Sequence, residues 1–171
     1  EGYSVLNSIG ADRLVKATGI EPRINEAGEI YLLSSLYGNA VGHTSLRVSG
    51  TSGQVETGVV PQDNANNYRF RDGSTQVEMV TFSKEKCDTF CQFIAANRND
   101  KLTVSFCGRK STQVVLTDRA KSEIATTYDY ATKKSELKHA EDMRLYYSKK
   151  LQITRRQIRA TATNITGDKK E

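Results

Sequence analysis

The chain has 171 residues, enough for one domain with a sizeable core, and a hydrophobic content of 37%. Its net charge of +5 suits an anionic partner such as nucleic acid, an acidic membrane surface or a cell-wall polymer. No apolar run approaches the roughly 20 residues that a membrane span requires, and three cysteines without CxxC or zinc-ligand spacing point to neither a disulfide framework, a metal nor another cofactor.

The opening stretch, EGYSVLNSIGADRLVKATG, lacks a basic region followed by an apolar one, so no signal peptide is visible. This leaves a cytoplasmic product or an excised piece of something larger, and a chain opening on Glu favours the second. Residues 4 to 19 are expected to form a short helix stopped by Gly19 and Pro22. A turn at Ala27–Gly28 then leads into an apolar run from Ile30 to Leu33 that has the length of a strand. In HTSLRVSG, Leu46 and Val48 point one way and Ser45 and Arg47 the other, the alternation of a half-buried strand. GTSG at 50–53 is a hairpin turn and QVETGVV the returning strand, ended by Pro61.

The segment QDNANNYRFRDGSTQ is polar and is expected to be an exposed loop, with a tight turn at Asp72–Gly73. VEMVTF is a further strand. Ser83 caps a helix whose buried face is defined by Cys87, Phe90, Cys91 and Ile94 at offsets of three and four. KLTVSFC is a strand with Leu102, Val104 and Phe106 on one face and Cys107 on the other. From Ser111 there is no Pro, and no Gly before Gly167. Leu137, Ala140, Tyr147, Leu151 and Ile158 follow the spacing of a long amphipathic helix, with Lys and Arg on its other face. The expected class is α+β, a small antiparallel sheet packed against helices with a long C-terminal helix. Residues 1–116 would form the sheet-bearing part, and 117–171 a helical extension packed on it as one compact unit.

The chemistry worth seeking is a thiol paired with an imidazole. A cysteine attacks carbonyl carbon as thiolate, an adjacent His takes its proton, and a third polar group fixes the tautomer of that His. Cys87 and Cys91 lie on an apolar helix face and behave as small hydrophobes. Cys107 sits at a strand end beside Gly108, Arg109 and Lys110, where positive charge would lower its pKa. His43 precedes a strand. His139 stands among charged residues on the long helix and is expected to be solvated.

YGNAVGHTSLRV resembles the His segment of circularly permuted NlpC/P60-like (papain-like) thiol hydrolases, in which a Gly-His opens a strand and the cysteine comes later. VTFSKEKCDTFCQFIAANRND resembles the helix that precedes the nucleophile strand in permuted members, including domains of bacterial toxins. The resemblance covers roughly residues 29 to 116. SFCGRKSTQVV departs from it, with Phe before the cysteine where those members carry Asn, and no aromatic residue after it. The resemblance implies His43 as base, Cys107 as nucleophile, an orienting residue on the returning strand (Glu56, with Gln54 behind it) and an oxyanion site near Gly108. It also implies acyl transfer on a peptide amide of the cell wall or of a protein, delivery from a bacterial cell, and a cognate inhibitor or delivery protein as partner.

Two other readings stand beside it. Arg144, Lys149, Lys150, Arg155, Arg156 and Arg159 give the long helix a basic face that could neutralise phosphates, although such faces are more often simply solvated. Alternatively, the chain is a catalytically inactive structural or interaction domain of a secretion, phage or toxin assembly, packing its long helix on a neighbouring chain.

Overall fold

The computed structural model describes residues 17–63 and 65–167, with side chains described as far as 163. Within these residues the protein is α+β: two antiparallel four-stranded sheets, one short helix and one long C-terminal helix. The helix expected over residues 4 to 19 falls mostly outside the described residues.

The first sheet has the order β1-β2-β6-β5, built from β1 (Gly19–Ile24), β2 (Ile30–Tyr37), β5 (Asn67–Asp72) and β6 (Thr75–Phe82). The second has the order β4-β3-β7-β8, from β3 (Ser45–Gly50), β4 (Gly53–Glu56), β7 (Thr103–Cys107) and β8 (Ser111–Val115). Helix α1 (Lys84–Ala96) joins the sheets, and α2 spans Asp118–Gly167.

Three strands depart from the sequence reading. Gly19–Ile24 is a strand because Pro22, which would break a helix, is tolerated on the edge of a sheet, where its missing N–H costs no ladder bond. The polar segment after Pro61 contains β5, also an edge strand, whose side chains are mostly only half covered. Ser111–Val115 forms β8, pairing with β7 through Cys107↔Ser111 to Thr103↔Val115. Its outward residues are exposed, so it lacks the apolar alternation of a buried strand.

One core joins both sheets and both helices. Leu32, Leu36, Val80 and Phe82 contribute from the first sheet, Leu46, Val48, Val104 and Phe106 from the second. Cys87, Phe90, Cys91 and Ile94 form the buried face of α1, as their spacing requires. Ser83 stands at the N-terminus of α1, but its carbonyl rather than its hydroxyl receives the first amides. The start of α2 is fixed twice. Thr117 Oγ1 accepts from the Ala120 amide at 3.2 Å, and the buried Lys121 ammonium donates to the Asp100 carbonyl at 2.7 Å. Ile124 and Ala131 of the same helix reach the core. The chain divides into two compact units between Thr132 and Lys133. In the second, every described residue from Ser135 to Thr163 is exposed.

Candidate functional site

His43 lies in the loop between β2 and β3, and its imidazole is fully buried. Gly42, at φ +71°, turns the chain there in a left-handed conformation that favours glycine. Three contacts fix the ring. Nδ1 lies 3.0 Å from Glu78 Oε2, Nε2 lies 2.9 Å from Ser34 Oγ, and the edge of one ring meets Phe106 with centroids 5.3 Å apart. Ser34 and Glu78 belong to the first sheet and Phe106 to the second, so the imidazole bridges the two sheets.

The protonation pattern follows from donor and acceptor chemistry. An ionised carboxylate can only accept, so Nδ1 carries the proton. The Ser34 hydroxyl, whose one proton is within reach of both Nε2 at 2.9 Å and the Val80 carbonyl at 3.2 Å, donates to Nε2 while the imidazole is neutral. Burial holds His43 below its ordinary value, and the Glu78 hydrogen bond only partly offsets that. At Glu78, burial pushes the carboxyl up, but hydrogen bonds from the His43 ring and the His43 and Gly42 amides outweigh it. Its value is therefore lowered and it stays ionised. The Gly42 amide donates to Oε1 at 2.8 Å and the His43 amide to Oε2 at 3.1 Å. Arg69 Nε adds an ionic contact to Oε1 at 3.1 Å, outside hydrogen-bond geometry. The Asn67 side chain completes the cluster, donating to the carbonyls of His43 and Val60.

Cys107 is placed otherwise. Its neighbour in the ladder is Ser45, its side chain is partly exposed, and its thiol donates weakly to the Ser105 carbonyl at 3.6 Å. No hydrogen bond joins it to His43, both of whose ring nitrogens are already engaged. The alternation along β7 explains the separation: Phe106 faces the core and touches His43, so Cys107 faces away. Burial raises the Cys107 pKa, which Arg47 only partly counters. The thiolate expected from the basic neighbours Arg109 and Lys110 is therefore not favoured.

Cys107 and Gly108 do line one surface groove of about 500 Å³, together with Glu56, Arg69 and Arg109. Glu56, the expected orienting residue, holds Ser45 Oγ at 2.7 Å and Arg47 Nη2 at 3.0 Å. The carboxylate on the imidazole is Glu78. Gln54 lies beside Ser49 in the β3–β4 ladder and is exposed. Cys87 and Cys91 are fully buried, and a hydrogen bond from Cys91 to Cys87 together with burial drives the Cys91 thiol well above its ordinary value. His139, Arg144, Lys149, Lys150, Arg155, Arg156 and Arg159 are exposed on α2.

Glu78 and Ser34 carry a signal in the sequence through strand parity. Glu78 shares its strand parity with Val80 and Phe82, which places a carboxylate on an inward face; Ser34 likewise alternates with Leu32 and Leu36. A charged group in that position calls for a buried partner. Among the described residues no three His, Cys, Asp or Glu side chains converge as metal ligands, and no helix is long and apolar enough to cross a membrane. Comparison with protein-family profiles, curated proteins and solved structures gives no match to this chain.

Proposed function

We propose that this chain is a structural interaction domain that packs its long helix on a second copy of itself, as one unit of an assembly. The observation that carries the reading is the apolar stripe on the second unit. Leu137, Tyr147, Leu151 and Ile158 are 62%, 58%, 52% and 63% exposed. Leu137, Leu151 and Ile158 recur at multiples of seven residues, with Arg144 in the same position between the first two and Ala140 and Tyr147 in the complementary heptad position. Such a stripe gains free energy only when another surface covers it.

Charge decides the direction of pairing. In parallel alignment Glu136 faces Glu141 of the copy and Lys150 faces Arg155, both repulsive. An antiparallel alignment that sets Leu151 against the copy's Tyr147 places Glu141 beside the copy's Arg155, twice by symmetry. Lys150 then meets its counterpart at the midpoint, where its long side chain can turn to water. The interior of the first unit supports the reading, because His43 is committed as a post between the sheets. Light scattering of the full chain tests it: a dimer is expected, weakened by Glu141→Arg and restored by adding Arg155→Glu. A monomer at the highest soluble concentration overturns it.

A second reading, a thiol hydrolase of the NlpC/P60-like type, draws on the presence of Cys107, Glu56 and Gly108 in one groove. It requires Cys107 to alkylate rapidly near a pH of about 6 and to slow in His43→Ala. Slow alkylation, unchanged by that substitution, excludes it.

A further inference from the structure

The groove beside Cys107 carries two guanidinium groups and no uncommitted carboxylate. Arg69 and Arg109 flank Gly42. A Cβ built on that glycine would lie 3.4 Å from Arg69 Nη2 and 3.8 Å from Arg109 Cγ. Arg69 is drawn to Glu78 by an ionic contact of its Nε, without a hydrogen bond, and no described residue accepts from its terminal nitrogens. Arg109 is exposed and has no acidic partner among the described residues. Glu56 is occupied by Arg47 and Ser45.

The frame around these groups is closed by backbone. The Thr44 amide donates to the Cys107 carbonyl at 2.8 Å and the Lys110 amide to the Val41 carbonyl at 3.3 Å. At Gly108 an added Cβ would stand 2.2 Å from the Gly42 carbonyl oxygen. The loop before β3 and the β7–β8 hairpin are therefore pressed together, and the base of each arginine is set by the fold.

We infer that this groove binds an oxyanion, a carboxylate or phosphate group, gripped between Arg69 and Arg109 beside Cys107. Arg69, mostly buried and drawn to Glu78, presents its terminal nitrogens as donors, and little of its side-chain freedom remains to be lost on binding. The lining is formally balanced except at Arg109: Arg69 faces Glu78, and Glu56 faces Arg47. One positive charge is left over. The raised pKa of Cys107 keeps its thiol neutral, so no thiolate repels the ligand. A groove of about 500 Å³ accepts a small molecule or the end of a chain rather than a folded partner. This site is separate from the helix stripe and does not depend on it.

Cys107 supplies the reporter, because Cys87 and Cys91 are fully buried. The full-length chain is alkylated with uncharged N-ethylmaleimide in phosphate, acetate or chloride at matched ionic strength. Phosphate or acetate is expected to slow labelling of Cys107, by about tenfold when the anion is at ten times its dissociation constant. The anion that protects at the lower concentration assigns the ligand class. Arg109→Gln, a change at an exposed loop position, is expected to remove the protection while leaving the melting temperature in place. Amide resonances of Gly42, Thr44 and Gly108 should shift over the same concentration range. Equal protection by chloride, protection that survives Arg109→Gln, or shifts confined to the basic side chains of α2 would each overturn the inference.

Discussion

The unit that ends at Thr132 and the helix from Lys133 deal with apolar side chains in opposite ways. The first closes its own interior, with Phe82, Phe90 and Phe106 fully buried and the His43 ring hydrogen-bonded to Ser34 and Glu78 among them. The second carries Leu137, Leu151 and Ile158 in the open. Hydrophobic pattern alone therefore does not tell where a side chain will be covered. The Cys87–Ile94 face of α1 and the Leu137–Ile158 stripe of α2 show similar spacing, yet among the described residues only the first is covered.

The largest expected effect sharpens this contrast. Glu78→Ala strips the acceptor from the His43 ring, two backbone amides and Arg69 at once. Breaking a buried charged cluster of this kind costs about 3–5 kcal/mol, read as a lower urea midpoint of the first unit. Gln at the same position should recover part of the loss. An unchanged midpoint would mean that the cluster contributes nothing to the first unit.

Next in size is Cys91→Ser, which places a hydroxyl in an apolar helix face at a cost of about 1–3 kcal/mol. Cys107→Ser, at a partly exposed strand end, should stay within about 0.5 kcal/mol. Equal losses at the two positions would contradict the different burial of the two thiols.

The pH response lies between these. Because His43 is held below 6.5 when folded, the unfolded chain binds a proton there before the folded chain does. Stability therefore falls as pH drops through 6.5 toward the lower folded value. Glu78, held below 4.5, adds a further loss as pH falls through its own folded value. Urea midpoints from neutral pH downward check this, and in His43→Asn the part of the decline nearest 6.5 should disappear. A rise in stability on acidification would reverse the assignment of the neutral imidazole.

The smallest effect falls on the second unit. Leu151→Asp with Ile158→Asp should leave the urea transition of the first unit within about 0.5 kcal/mol, as for exposed substitutions generally. Any loss of self-association would then belong to the stripe. A large fall in that transition would show that the two units are energetically one.

Much of the scaffold was legible because its signals are local. Alternation marked β3 and β7, and three/four spacing marked α1 and the long helix. The edge strands were not. In β1 a proline, in β5 a row of polar residues and in β8 an exposed face each erase the apolar alternation, while pairing with a neighbour still stabilises the strand. The groove was partly legible, since Cys107, Gly108 and Glu56 do meet there. The fate of His43 was not, because its partner Glu78 lies 35 residues further along and only the pairing of β2 with β6 brings Ser34 and Glu78 onto the same buried face.

The meeting of Gly42 and Gly108 has a consequence for how the protein can change. Main chain lies on main chain at that crossing, leaving no side chain to shrink in compensation for a newcomer. A library saturated at position 108 should return glycine among its stable survivors, even though the residue is exposed. Mutational tolerance at that point follows the clearance between two loops rather than access to water.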